Sequence, residues 1–258
     1  MREKQGQPSG ERFKIPEALI RQLRSARHIA VLTGAGTSAE SGVPTFRDAQ
    51  TGLWAQYSPE ELATPEAFRR NPRLVWEWYQ WRRERVSQAK PNPGHLALAR
   101  MESLVPKFTL ITQNVDGLHH EAGSKGVLEL HGNIRRTKCF TENSIVDSWR
   151  ATPKIPPRCP RCGGLLRPDV VWFGESLPAE ILNEAEAAAR SCDVFLSVGT
   201  SSVVFPAAAL PHSALAVGAT VIEINPTPTE LAADAAWSFA AASGEFLPVL
   251  LSATWPEC

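Results

Sequence analysis

Four short apolar runs, each followed by small or polar residues, constrain the fold of this chain most strongly. They are rich in β-branched and aromatic residues, as buried strands are, and helical patterns lie between them. Strands that alternate with helices indicate a doubly wound parallel sheet, whose ligands bind at the carboxyl ends of the strands. The runs occupy residues 28–36, 108–114, 193–201 and 219–226, and the helical patterns occupy residues 92–104, 178–191 and 205–217.

Two regions interrupt this alternation and predict a smaller lobe. Residues 48–91 have mostly helical patterns without a strand candidate, and they are rich in Trp and Pro. Residues 132–168 are rich in proline and hold Cys139, Cys159 and Cys162. We expect both regions to be insertions that pack against a Rossmann-like α/β domain. That domain comprises residues 13–47, 92–131 and 169–258, and residues 1–12 form a flexible tail.

Charge and cysteine content exclude several classes of protein. The chain has 27 basic and 27 acidic residues, so no overall field attracts nucleic acid or a membrane surface. None of its apolar runs approaches the ~20 residues that span a bilayer, and its polar N-terminus lacks the apolar core of a secretory signal. Five cysteines, an odd number, do not fit a disulfide framework. We expect a monomeric cytoplasmic protein whose thiols are available to metal.

The segment GAGTSAESGVPTFR, residues 34–47, follows the first apolar run directly. Glycines at Gly34 and Gly36 would let backbone amides approach a pyrophosphate at the start of a helix. The spacing departs from G-x-G-x-x-G, because position 39 is alanine and the next glycine is Gly42. On this segment alone, a nucleotide site and a simple turn both remain open.

Five further motifs follow this segment in a fixed order. They are TQNVDGLH (112–119), LHGN (130–133), VVWFGE (170–175), GTSSVVFPAA (199–208) and EINP (223–226). With the glycine segment, they closely resemble the sirtuins, the NAD-dependent protein-lysine deacylases of the silent information regulator family. The resemblance extends from about residue 16 to about residue 250. It implies a Rossmann-like domain and a zinc-bearing small domain, with NAD and an acylated lysine meeting in the cleft between them.

The resemblance also implies which residues contact NAD. The pyrophosphate and nicotinamide ribose would lie against Gly34, Ala35, Gly36, Ser38 and Arg47, with Phe46 over the reacting face. The ribose and the nicotinamide carboxamide would lie against Gln113, Asn114, Val115 and Asp116, and the adenosine end against Gly199, Thr200, Ser201 and Asn225. The products would be nicotinamide, free lysine and O-acyl-ADP-ribose.

Three residues would carry the catalysis. Asn114 and Asp116 would hold the nicotinamide leaving group, which is a positioning role. His131 would be the general base that deprotonates a ribose hydroxyl, a task that suits a group titrating near neutrality. His119 and His120 compete with His131 on composition alone, but their segment resembles the helix after the nicotinamide loop.

The segment VVWFGE predicts an extended stretch beside which a substrate peptide lies as an added strand. The alternative, a buried edge strand that ends at Gly174, is compatible with this role. The residues that would contact the substrate are Val171, Trp172, Phe173, Gly174 and Glu175.

The spacing CPRC, residues 159–162, is typical of a zinc knuckle. In the family the partner is a second C-x-x-C, but here Cys139 is followed by Glu142 at the position of its second cysteine. Two alternatives remain: Glu142 completes a Cys₃Glu site, or the site is degraded. We expect one structural zinc bound by at least Cys139, Cys159 and Cys162, and no special role for Cys192 or Cys258.

The stretch WEWYQWRRERV, residues 76–86, predicts a helix whose tryptophans pack the small lobe while its arginines are solvated. Tyr79 and Arg82 differ, because they share one helix face and resemble the Tyr-x-x-Arg pair of the class III sirtuins. There the pair binds the distal carboxylate of succinyl and malonyl groups. Ala63 would leave room for such an acyl chain.

The alternatives to this function are a deacetylase or a mono-ADP-ribosyltransferase on the same fold, and, more distantly, a non-enzymatic zinc-knuckle scaffold that binds NAD.

Overall fold

The protein, represented by a computed structural model, is described over residues 13–43, 56–150 and 154–257. The strands of this part are β1 (His28–Thr33), β2 (Lys107–Thr112), β3 (Val127–Glu129), β4 (Gly132–Cys139), β5 (Leu166–Val170), β6 (Val194–Val198), β7 (Thr220–Ile224) and β8 (Trp237–Phe239). Six of them form one parallel sheet in the order β3-β2-β1-β6-β7-β8. The predicted doubly wound parallel sheet is confirmed, and its chain order reverses between β1 and β6, where such sheets bind ligands.

The described helices lie mainly where the periodicity predicted them. They are α1 (Glu17–Ser25), α2 (Ala35–Ala39), α3 (Pro59–Leu62), α4 (Pro65–Arg70), α5 (Pro72–Gln88), α6 (Pro93–Glu102), α7 (Leu118–Glu121), α8 (Ala179–Ala189), α9 (Leu210–Ala216) and α10 (Ser243–Thr254). Helices α3 to α6 each begin with proline, whose fixed φ and missing N–H suit a first turn. Across the described ranges, no helix has both the length and the apolar character that crossing a membrane requires.

The core of the large domain lies on both faces of the parallel sheet. Strands β1 and β6 are buried along their whole length, which explains why they are continuous apolar runs. Helices α1, α6 and α10 cover one face with Leu19, Leu98, Phe246 and other apolar side chains. Helices α8 and α9 cover the opposite face, largely with small alanines. The strand ends that carry the polar motifs therefore emerge from a rigid support.

The described parts of residues 48–91 and 132–168 pack against one another. Strands β4 and β5 form an antiparallel pair, and the helices α3 to α5 bury apolar side chains against it. The shared cluster includes Leu62, Phe68, Trp78, Tyr79, Ile134, Val170 and Trp172. The sequence did not predict β4 or β5, because charged residues interrupt both segments, β5 also contains a proline, and neither alternates regularly between buried and exposed positions.

Arg83 ties helix α5 to strand β4. The strand has an irregular register between Asn133 and Thr137, which leaves backbone carbonyls without strand partners. Arg83 donates from Nε to the Ile134 carbonyl at 2.6 Å and from Nη2 to the Arg136 carbonyl at 2.7 Å. Burial lowers the pKa of Arg83 to about 10. The prediction that the arginines of this helix are simply solvated is therefore wrong for Arg83.

We predict that Arg83→Met lowers the free energy of unfolding by about 1–3 kcal/mol, the usual cost of leaving buried acceptors without a donor. Methionine keeps the apolar stem but removes the guanidinium. Urea unfolding, followed by circular dichroism, measures the change. Arg85→Met is the matched control, because Arg85 is exposed on the same helix over the ring of Trp81, and it should stay within about 0.5 kcal/mol of wild type. Equal unfolding midpoints for the two variants would contradict the role of Arg83.

Candidate active site

The glycine loop after β1 and the loop after β6 touch at the reversal point of the sheet. A Cβ on Gly34 or Gly36 would lie 2.7 or 2.8 Å from the carbonyl oxygen of Gly199, and Gly199 itself has a φ of 60°. The amides of Gly34 and Gly36 donate to the carbonyls of Val198 and Gly199 at 3.0 and 2.8 Å. Both amides therefore hydrogen-bond to the adjoining loop, and the contact of this segment with a pyrophosphate stays a prediction. Close packing of the two loops accounts for the glycines.

Asp116 lies at the centre of a buried hydrogen-bond network. Ser38 Oγ donates to its Oδ2 at 2.8 Å, and the Leu118 amide donates to its Oδ1 at 2.9 Å. Asn114 Nδ2 donates to Ser38 Oγ at 3.1 Å and to the Gly34 carbonyl at 3.0 Å. Ser38, Asn114 and Asp116, which the motifs predicted as site residues, are thus brought together and held in fixed orientations.

His95, which the sequence analysis did not single out, extends this network. Its Nδ1 accepts from the Asn92 amide at 3.3 Å, so its Nε2 carries the proton and donates to Ser38 Oγ at 3.3 Å. The ring of His119 lies 4.7 Å from that of His95. Burial lowers the pKa of both histidines, that of His119 to about 3, so both rings are neutral at physiological pH. No local pattern marks His95, since Ser38 is distant in the chain.

One ring nitrogen of His131 is held by a backbone hydrogen bond, and the other can accept a proton. Its Nδ1 lies 2.9 Å from the backbone carbonyl of Gln113. Because a carbonyl only accepts, Nδ1 carries the proton, and Nε2 has a free lone pair. Burial lowers the pKa of His131 below 6.5. The imidazole is therefore a neutral, oriented proton acceptor near pH 7.

Strand β4 holds the loop that follows β2. The Ile134 amide donates to the carbonyl of Val115 at 2.8 Å, and Arg135 Nε donates to the carbonyl of Asp116 at 2.8 Å. The side chain of Val115 also packs against the small-lobe core. The position of Asp116 thus depends on contacts with the small lobe as well as on β2.

The loops after β2, β6 and β7 are joined through Thr200. Gln113 Nε2 donates to Thr200 Oγ1 at 3.0 Å, and Asn225 Nδ2 donates to the Thr200 carbonyl at 3.2 Å. Ser201 is exposed beside them, as is Ala35 in the glycine loop. The residues predicted for the adenosine end are therefore neighbours. Phe46 and Arg47 lie outside the described residues.

Tyr79 and Arg82 lie on one face of α5. The Tyr79 side chain is 1% exposed, and the Arg82 guanidinium carbon lies 5.8 Å from its ring centroid and 5.1 Å from that of Trp78. Burial lowers the pKa of Arg82, and the negative charge of Asp116 acts in the opposite direction. Tyr79 and Arg82 therefore lie beside each other on the helix face that the spacing predicted.

Residues 171–175 link the His131 region to the small lobe. The Val171 amide donates to the carbonyl of His131, and the Phe173 amide donates to the carbonyl of Ala63, both at 2.9 Å. Phe173 and Gly174 are exposed, whereas Trp172 is buried. The segment continues from β5 without strand pairing of its own and forms a turn, in which the Glu175 amide donates to the Trp172 carbonyl. An added peptide strand would pair with the groups that these contacts leave available.

Cys139, Glu142, Cys159 and Cys162 form a cluster with metal-site geometry. Their ligand atoms all lie within 4.8 Å of one another, and the Sγ atoms of Cys139 and Cys162 are 3.4 Å apart. Tetrahedral zinc with ligands at 2.0–2.3 Å requires ligand separations of about 3.3–3.8 Å, so the donors fit after small adjustments. Arg161 Nε donates to Glu142 Oε2 at 3.0 Å and orients this carboxylate. Zinc at this site would be structural, since it joins β4 to the loop before β5.

Backbone amides support two of these thiols. The Glu142 amide donates to Cys139 Sγ and the Gly164 amide to Cys162 Sγ, both at 3.4 Å, which stabilises thiolates as metal ligands. Cys192 is separate and buried, with its Sγ directed at the carbonyl of Ala189. Burial raises the pKa of the Cys192 thiol to about 11, in keeping with an inert side chain. Cys258 lies outside the described residues.

Comparison with known proteins gives consistent matches over most of the chain. The sequence profile of the Sir2 family matches residues 34–206. An NAD-dependent protein deacylase of Aquifex aeolicus is 58% identical over 79% of this chain and 85% of its own length. One of Methylococcus capsulatus is 48% identical over 93% and 98%. The crystal structure of a Sir2 homologue in complex with NAD is 46% identical, with a TM-score of 0.86 over 93% of this chain and 94% of that one.

We predict about one zinc ion per chain in protein purified without chelator, and weaker retention of zinc in Glu142→Ala. Loss of one of four ligands should lower the resistance to a competing chelator by about tenfold or more. Zinc release to a colorimetric chelator measures this, and Glu66→Ala, which removes an exposed carboxylate of α4, is the control. A zinc content far below one per chain would contradict the site. Equal release from Glu142→Ala and wild type would exclude Glu142 as a ligand.

Proposed function

The chain belongs to the Sir2 family. We propose that it removes acidic acyl groups, such as succinyl and malonyl, from protein lysines in preference to acetyl. It is an NAD-dependent protein-lysine deacylase. NAD, the co-substrate, supplies an electrophilic ribose carbon from which nicotinamide departs. The products are nicotinamide, free lysine and O-acyl-ADP-ribose. The acyl preference rests on residues of the small lobe, and the deacylation itself rests on the network around Asp116 and on His131.

His131 is suited to take a proton from a ribose hydroxyl. Its Nδ1–H is fixed on the carbonyl of Gln113, so Nε2 is the only ring atom that accepts a proton. A general base must be unprotonated to act, and the lowered pKa of His131 keeps it so near neutrality. The same contact fixes the ring plane, which limits the reorganisation that proton transfer requires.

Asn114 and Asp116 are suited to hold the nicotinamide carboxamide. Asp116 is fixed by Ser38 and the Leu118 amide, and Ser38 is fixed in turn by His95. A preorganised carboxylate and amide bind a planar carboxamide in one orientation, which promotes departure of the leaving group through positioning.

One observation carries the acyl preference: the buried phenol of Tyr79 and the guanidinium of Arg82 lie together on one face of α5, with the guanidinium carbon 5.8 Å from the phenol ring centroid. A guanidinium provides paired N–H donors that match a carboxylate, and a phenol adds a third donor. An acetyl group has no carboxylate and does not use these donors. Ala63, which is 2% exposed and belongs to the same apolar cluster as Tyr79, leaves room for the longer acyl chain.

We predict that His131→Ala lowers kcat/KM for deacylation by about 100-fold or more, the usual contribution of a general base. The assay follows nicotinamide release from acylated peptides. In wild type, protonation of His131 should reduce activity only below pH 6.5, because burial lowers its pKa. His212→Ala, which changes an exposed histidine of α9, should retain activity. Near-wild-type turnover of His131→Ala would refute the assignment.

For the acyl preference, we predict that Arg82→Met loses about 10- to 100-fold in kcat/KM on succinyl-lysine peptides and far less on acetyl-lysine peptides. Arg85→Met on the same helix is the control and should leave both activities unchanged. Wild type is assayed with acetyl, malonyl, succinyl and glutaryl forms of one peptide, together with labelled NAD to detect ADP-ribosyl transfer. Equal losses on succinyl and acetyl peptides would rule out the carboxylate site, and a wild-type preference for acetyl would favour a deacetylase.

A further inference from the structure

A hydrogen bond joins the segment of residues 171–175 to Tyr79 of helix α5. Trp172, in the segment of residues 171–175, donates from Nε1 to the hydroxyl oxygen of Tyr79 at 3.0 Å. Both side chains are almost fully buried. We propose that Trp172 is a positioning residue for acyl selectivity: its indole N–H occupies a lone pair of the Tyr79 hydroxyl and directs the phenolic proton toward the carboxylate of the acyl group. This inference rests on the proposed preference for acidic acyl groups.

The side chains around the Tyr79 hydroxyl differ in their capacity to donate and accept hydrogen bonds. An indole N–H and a guanidinium are donors only, whereas a phenol has one donor and two acceptor positions. Trp172 donates to the Tyr79 hydroxyl oxygen at 3.0 Å, so that oxygen acts as an acceptor toward the indole, and the guanidinium carbon of Arg82 lies 5.8 Å from the Tyr79 ring centroid. Within the described ranges, neither of these neighbours can receive the phenolic proton. A carboxylate is the acceptor that completes this arrangement, and the neutral methyl of an acetyl group cannot take its place.

Trp172 is itself held rigidly. The guanidinium carbon of Arg167 lies 3.2 Å from the Trp172 ring centroid, and Arg167 is 2% exposed. Its Nη1 and Nη2 donate to the two carboxylate oxygens of Glu175 at 2.5 and 2.9 Å, and Nη2 also donates to the Val170 carbonyl. Glu175 Oε2 in turn accepts from the Trp172 amide at 2.8 Å. This ion pair fixes both the backbone and the ring of Trp172, and therefore the direction of its indole N–H.

Packing alone gives a different expectation for Trp172. Its ring also contacts Phe68, with centroids 5.3 Å apart, inside the small-lobe core. If Trp172 only fills volume, a change that keeps an aromatic ring should affect all acyl substrates in proportion. If it acts through the Tyr79 hydroxyl, the loss should be confined to substrates that carry a carboxylate.

The test compares Trp172→Phe, Tyr79→Phe and the double variant on acetyl- and succinyl-lysine forms of one peptide. For Trp172→Phe, we expect KM for the succinyl peptide to rise and the succinyl-to-acetyl ratio of kcat/KM to fall about five- to tenfold. In the Tyr79→Phe background, the same change should leave that ratio unaltered, because the hydroxyl on which Trp172 acts is absent. Circular dichroism and zinc content establish that each variant is folded.

A second variant replaces Trp172 site-specifically by its benzothiophene analogue, which exchanges the N–H for sulphur and keeps the ring shape. It should lower the ratio as Trp172→Phe does, even if the phenylalanine variant does not fold. An unchanged ratio in the analogue, equal losses on both peptides, or additive losses in the double variant would each overturn the role of Trp172. A wild-type enzyme without preference for the succinyl peptide would instead refute the proposed function.

Discussion

The contact between the glycine loop after β1 and the loop after β6 is the constraint on which the site depends. Gly34 and Gly36 approach Gly199 so closely that a Cβ on either would lie within 3 Å of its carbonyl oxygen. This contact brings the two loops together where the strand order reverses, and it fixes the position at which α2, the helix that carries Ser38, begins. Ser38 then contacts Asn114 and Asp116 of the loop that follows the neighbouring strand β2. A side chain in place of either glycine would separate the two loops and displace these groups together.

The small lobe contributes hydrogen bonds that hold the loop of Val115 and Asp116 in place. Arg135 and the Ile134 amide hold the carbonyls of Asp116 and Val115, and Arg83 holds the irregular part of the same strand against α5. The candidate metal-binding cluster of Cys139, Glu142, Cys159 and Cys162 lies at the far end of that strand. One strand, β4, therefore connects the candidate metal-binding cluster and helix α5 to the loop that carries Asp116.

Helix α5 has two adjacent arginines, Arg82 and Arg83, with different roles. Arg83 binds backbone carbonyls and stabilises the lobe, whereas Arg82 lies over the rings of Tyr79 and Trp78. Their separation follows from helix geometry, since adjacent residues point about 100° apart. Sequence spacing alone identified Tyr79 and Arg82 as a pair on one face, but it could not distinguish a structural arginine from a solvated one.

The sequence by itself determined the sheet architecture, the family resemblance and the residue types at the strand ends, because apolar runs and ordered motifs are local patterns. It missed the strands β3, β4, β5 and β8, which are short or carry charged and proline residues, and it missed His95. Only the tertiary structure decided the tautomer of His131, the contact of His95 with Ser38 and the bond between Trp172 and Tyr79. Those last two residues are 93 positions apart, and hydrogen bonds over such separations depend on how the chain packs, which no local pattern encodes.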